Sequence, residues 1–148
     1  EQYLPIPGYA PKQYSIRLDL SSDPAQNKII FIYEPIRTTL TIQKSGWEAI
    51  DENQTFLFHI QGIEATTEEI DLTVTVHGNG KTTITDLPVG KYCVTEMTGW
   101  SWRYEPAENA QEITLAVGGT TLPFANQRTK NNWLDGDSFS VNLFGANP

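Results

Sequence analysis

The sequence predicts an all-β protein, a sandwich or barrel of short strands, and three observations predict it. Helical periodicity is absent almost everywhere in the 148 residues. Short runs that alternate apolar and polar residues recur instead. Clusters of Gly, Pro, Asn and Asp separate these runs at regular spacing.

The first candidate elements precede residue 36. "QYSIRLDL", with Ile16, Leu18 and Leu20 on one face, and "KIIFIYE" flank "SSDPAQN", whose Asp-Pro and Asn are turn formers. They read as a hairpin over 14–33. Two strands alone are marginal in water, so this hairpin is expected to dock on the sandwich or on a strand over 138–144. "EPIRTT" reads as a short boundary. From residue 39 the strands follow closely: "LTIQK", "TFLFHIQG", "DLTVTVHG", "KTTITDL", "KYCVTEM", "SWRYE", "EITLAV" and "TLPFANQ". Spacing of this kind implies a sandwich or barrel. "IEATTEEID" reads as a solvated connection. Beyond residue 129, "TKNNWLDGD" is polar and turn-rich, while "SFSVNLF" alternates again, with Phe139, Val141 and Leu143 on one face. The division is therefore 1–36 as a β-hairpin segment, 37–129 as the sandwich, and 130–148 as a tail or an extra edge strand.

Composition bounds the function. With 39% hydrophobic and 19% charged residues the chain can bury one core, and a net charge of −8 without any basic, aromatic-interleaved stretch argues against nucleic acid and anionic membrane as partners. No apolar run reaches membrane-spanning length, so no membrane insertion is expected within this segment. "EQYLPIPGYAPK" lacks a signal pattern, and the chain reads as a mature segment of something longer. Cys93 is the single cysteine, which removes any disulfide framework or cysteine metal site.

Several suggestive stretches carry a plainer reading. "GNGKTT" resembles the end of a phosphate loop, but Thr75 stands where the first glycine belongs and a strand follows, so it is a hairpin turn. "LPIPG" has Pro7 where a sortase signal needs threonine. His59 and His77 lie on different strands with no third ligand at metal spacing, and His59 is out of register with Phe56, Phe58 and Ile60. Asp135 to Asp137 lack the further oxygens of a calcium loop. No serine sits in a nucleophile elbow, and Cys93 points opposite to Tyr92 and Val94 with no base beside it. No cofactor and no metal is expected.

Three polar residues break the alternation. In "LTIQKSG", Leu40, Ile42 and Lys44 share a face by period two. In "KYCVTEM" the same count joins Glu96 to Tyr92 and Val94, and in "LPFANQ" it joins Asn126 to Leu122 and Phe124. A base, an acid and an amide thus enter the core from separate strands. They can be unrelated: Lys44 snorkelling from an edge, Glu96 at a rim, Asn126 capping a turn. They can form a buried salt bridge that Asn126 satisfies. Or they meet and react, since burial disfavours the charge on an amine and on a carboxyl group alike, leaving a nucleophile beside a proton donor. Lys44 would then attack the side-chain carbonyl carbon of Asn126.

These residues carry a resemblance. The lysine late in "LTIQKSG", the glutamate of "TITDLPVGKYCVTEM" and the asparagine of "FANQR", in this order over residues 39 to about 128, resemble the B-type repeat domains of Gram-positive collagen adhesins and pilins (Cna B-type). The resemblance implies an immunoglobulin-like β-sandwich. It implies a spontaneous isopeptide bond between Lys44 and Asn126, assisted by Glu96, in a structural module rather than a turnover enzyme. It implies a stalk or spacer in an extracellular, cell-wall-anchored surface protein or pilus, its anchor outside this segment and its partners the neighbouring domains. Residues 1–36, through "IPGY" and "KIIFIYE", resemble the C-terminal part of a mucin-binding-protein-type repeat. The alternative function is a ligand-binding adhesin module for host glycan, mucin or collagen matrix, with Trp100, Trp102 or Trp133 as contacts. Trp100, Trp102 and Tyr104 also alternate together, which equally fits covering the core end near Glu96.

Overall fold

The computed structural model describes residues 1–46 and 50–129. Expectations for Trp133, Asp135 to Asp137 and the "SFSVNLF" strand lie outside these residues.

The N-terminal segment folds back on itself, but not as the hairpin the alternation suggests. Its ladder joins β1 (Tyr9–Pro11) to β2 (Tyr33–Pro35), antiparallel. Between them Ser15 makes a single antiparallel bridge to Gln2, and 16–20 and 28–32 run without ladder pairing. The expected turn does form: Ser21 N donates to Asn27 Oδ1 at 2.8 Å, Asn27 Nδ2 returns a bond to Ser21 O at 3.0 Å, and Asp23 caps a short 3-10 turn over Pro24–Gln26. Ile16, Leu18, Ile29 and Phe31 instead share a groove with Leu4 and Ile6, while Leu20, Ile30 and Ile32 stay exposed. The segment meets the sandwich through the backbone, where Ile36 N donates to Gly8 O and Val89 N donates to Ile36 O.

Among the described residues eight strands make up the sandwich, seven where the alternation puts them and the eighth, expected over "SWRYE", only from Tyr104. They are β3 (Arg37–Gly46), β4 (Thr55–Gly62), β5 (Asp71–His77), β6 (Lys81–Pro88), β7 (Gly90–Glu96), β8 (Tyr104–Pro106), β9 (Ala110–Leu115) and β10 (Thr120–Arg128). One sheet has the order β6-β3-β10-β8 and the other β5-β4-β7-β9. Within "EPIRTT" β3 begins at Arg37, and Thr38 is buried, its hydroxyl donating to Ala116 O at 2.8 Å. The "GNGKTT" stretch is the turn between β5 and β6, closed by Gly80 N donating to His77 O.

Inward residues of both sheets make one core that includes Leu40, Ile42, Phe56, Phe58, Ile60, Val76, Tyr92, Val94, Leu122 and Phe124. The first and last strands of the sandwich, β3 and β10, lie side by side and parallel, with Phe124 opposite Lys44 and Asn126 opposite Gly46. Their C-terminal ends therefore reach the same end of the core.

The acidic connection over 63–70 is only partly solvated. Glu68 and Glu69 face water, but Thr67 is buried and donates to Lys91 O at 2.8 Å, and Glu64 accepts from Lys91 N at 2.9 Å. This loop closes so tightly on β4 that a Cβ at Gly62 would stand 1.8 Å from the Thr67 carbonyl oxygen. Gly62→Ala is accordingly expected to cost about 1–3 kcal/mol, the usual range for forced overpacking. Chemical denaturation checks this; an unchanged midpoint would mean that the loop gives way freely.

Candidate functional site

Lys44, Glu96 and Asn126 each follow two apolar residues of the same strand face, so each extends the core by one position at the same end. All three are 1% exposed. The backbone around them is fixed: Lys44 N donates to Gly80 O, Glu96 N to Asn109 O, and Ala107 N to Ala125 O, at 2.8 to 2.9 Å. Lys44 leans along β10, past its register partner Phe124, towards the amide of Asn126.

The three side chains meet. Lys44 Nζ donates to Glu96 Oε2 at 2.9 Å and also to Asn126 Oδ1. Asn126 Nδ2 donates to Glu96 Oε1 at 2.7 Å. One carboxyl group from β7 therefore bridges the amine of β3 and the amide nitrogen of β10. Burial pushes the Lys44 amine below the usual lysine range, and the hydrogen bond and charge of Glu96 oppose that shift without cancelling it.

Aromatic rings enclose the cluster. Lys44 Nζ lies 4.2 Å from the Phe56 ring centroid and 5.7 Å from that of Phe58. Tyr104 packs against Phe56 with centroids 5.5 Å apart, and Phe124 against Phe58 at 4.8 Å. Sequence reading places Phe56 and Phe58 inward but misses their place over the amine. No signal in the sequence pairs them with Lys44, because that contact crosses between sheets.

Chemically, the arrangement holds a desolvated amine against an amide carbonyl, with a carboxyl group touching both the amine and the amide nitrogen. A nucleophile, an electrophile and a proton carrier are in mutual reach.

The other singled-out residues do not join it. His59 Nε2 pairs with Asp71 Oδ1 at 2.9 Å on the outer face, and His77 Nδ1 bonds Thr55 Oγ1 at 3.0 Å. Cys93 faces outward beside Thr95, and no metal-binding group of His, Cys, Asp or Glu occurs among the described residues. Trp100 and Trp102 do not cover the core end; they are 64% and 46% exposed. Turns over 97–104 break the period-two count there, Ser101 N donating to Thr98 O and Tyr104 N to Ser101 O, so that Ser101 and Tyr104 are buried instead.

No protein-family model matches the sequence, and no curated protein matches it. Solved structures do. The chain resembles the Bacillus anthracis TIE protein at 18% identity and TM-score 0.50, over 68% of this chain and 21% of that one. The minor pilin GBS52 of Streptococcus agalactiae aligns at 14% identity and TM-score 0.48, over 67% and 48%. The pilus-presented adhesin Spy0125 (Cpa) aligns at 20% identity and TM-score 0.46, over 64% and 28%. What is shared is the fold. The chain spans about a fifth of the length of the first of these and under half of the other two.

Proposed function

We propose that residues 37–129 form a structural stalk or spacer module of an extracellular, cell-wall-anchored adhesin or pilus subunit, in which Lys44 and Asn126 become joined by an amide. The observation that carries this reading is the Glu96 carboxyl group bonded at once to Lys44 Nζ and Asn126 Nδ2. A proton passes from Nζ to Glu96, and the freed lone pair attacks Asn126 Cγ. A new C–N bond forms, Nζ gives up a second proton as the Cγ–Nδ2 bond breaks, and Nδ2 takes one proton through the same carboxyl group and leaves as ammonia, the other proton remaining on Glu96. The reaction also removes an energetic burden, because a charged pair in a dry core carries a desolvation penalty that a neutral amide does not. It happens once per chain, needs no cofactor, and is not turnover catalysis. The partners in this reading are neighbouring domains of the same surface protein, with residues 1–36 and 130–148 as flanking segments. The comparisons with pilin and adhesin chains support the setting at the level of fold.

Intact mass tests the bond. The folded chain is expected to weigh roughly 17 Da less than its sequence, the mass of ammonia. Lys44→Ala and Asn126→Ala each remove one reactant and are expected at full mass. An unshifted parent mass leaves only the salt bridge that Asn126 satisfies.

A second reading is favoured by the exposure of Trp100 and Trp102, which lie side by side with Arg103 in the loop after β7, the Arg103 guanidinium 5.1 Å from the Trp102 ring. Exposed aromatics are the usual contact residues of a module that binds glycan, mucin or collagen. Binding to a glycan array or to collagen that Trp100→Ala abolishes would favour it.

A further inference from the structure

The environment of Lys44 Nζ contains two opposed influences. Burial favours the neutral amine. The Phe56 ring, 4.2 Å away, favours the ammonium, because an aromatic face attracts a cation far more strongly than a neutral group. Phe56 is held firmly for this: it is fully buried, paired with Val76 in β5 and packed on Tyr104. The other groups around the amine are Glu96 from β7, Asn126 from β10, and the more distant Phe58.

We propose that Phe56 is a positioning residue that sets the rate of amide formation, by stabilising Lys44 as ammonium against proton transfer to Glu96. The inference rests on the cross-linking reading above. One proton is shared within the pair. With the proton on Nζ the amine has no free lone pair and cannot attack; with the proton on Glu96 it can. The ring face stabilises the first arrangement only, so it lowers the population of the second. The transfer leaves the number of bound protons unchanged, and the bonds made and broken afterwards are those already given.

The test uses the full chain, produced by cell-free translation with mono-, di- or trifluorinated phenylalanine at position 56. Synthesis is stopped and the intact mass is followed with time. Fluorine withdraws electron density from the ring face with little change of volume, so each fluorine weakens the hold on the ammonium. The logarithm of the rate of mass loss is expected to rise stepwise with fluorine number, reaching about tenfold for the trifluorinated ring. The same series at Phe58, which lies farther from the amine, is expected to give a shallower slope. Because the transfer is internal, the acceleration is expected to be the same at every pH where the pair holds one proton. A packing role alone would give no ordered dependence on fluorine number. A rate at position 56 that stays flat or falls overturns the proposal while leaving the amide intact. A parent chain that never loses the mass overturns the amide reading, and this inference with it.

Discussion

Glu96→Gln is expected to fold, to retain its full sequence mass, and to melt well below the parent. Glutamine matches the volume of glutamate and can still bond Lys44 and Asn126, but it cannot carry a proton from Nζ to Nδ2, so both reactants stay in place unreacted. The missing bond closes a loop across 82 positions. By the chain-entropy treatment used for disulfides, a loop of that size restricts the unfolded chain by about 4.5 kcal/mol. For a domain of this size the loss corresponds to a drop in Tm on the order of 20 °C. The substitution also leaves the Lys44 amine without its counter-charge, which adds to the loss. Asn126→Ala separates the two effects, since it retains the Lys44–Glu96 pair and lacks only the electrophile. Calorimetry beside intact mass reads both variants. If Glu96→Gln cross-links as fast and as completely as the parent, Glu96 is not the proton carrier, and its burial against Lys44 has another cause.

Under tension the expected difference is larger still. β3 and β10 are parallel neighbours, and force applied through the ends of the sandwich enters at Arg37 and leaves at Arg128. With the amide formed, the load runs along β3 to Lys44, crosses to Asn126 and exits two residues later. The chain between the two strands then lies off the load path. Without the amide, unfolding also releases the roughly 80 residues between Lys44 and Asn126, at about 3.5 Å each an added extension of roughly 280 Å. Single-molecule pulling on the parent is expected to lack that step, and Asn126→Ala is expected to show it. A parent that extends by the full step would remove the proposed stalk function's mechanical basis.

Period two was enough to place Lys44, Glu96 and Asn126 on inward faces, because each follows two apolar residues of its own strand at even spacing. The sandwich was legible for the same reason: strands half-buried in antiparallel sheets alternate, and β4, β7 and β10 do so plainly. Alternation is a local rule, however, and it failed where the backbone left the pleat. Around Trp100 and Trp102, turns replaced the strand, and the aromatics went outward. Over 14–32 the apolar pattern was present on both segments, but a ladder needs partners, and pairing there is limited to the ladder of Tyr9–Pro11 with Tyr33–Pro35 and a single bridge of Ser15 with Gln2.

That three inward polar groups share one place was decided by the tertiary structure alone. Parity fixes which face a residue occupies, but neither its height along the core nor the strand beside it. The parallel pairing of β3 with β10 set Lys44 beside Phe124, two residues short of Asn126. The packing of one sheet on the other brought Glu96 across to both, and set Phe56 over the amine. Such contacts join residues 12 to 82 positions apart, and their distances depend on register and sheet stacking, which no local pattern encodes.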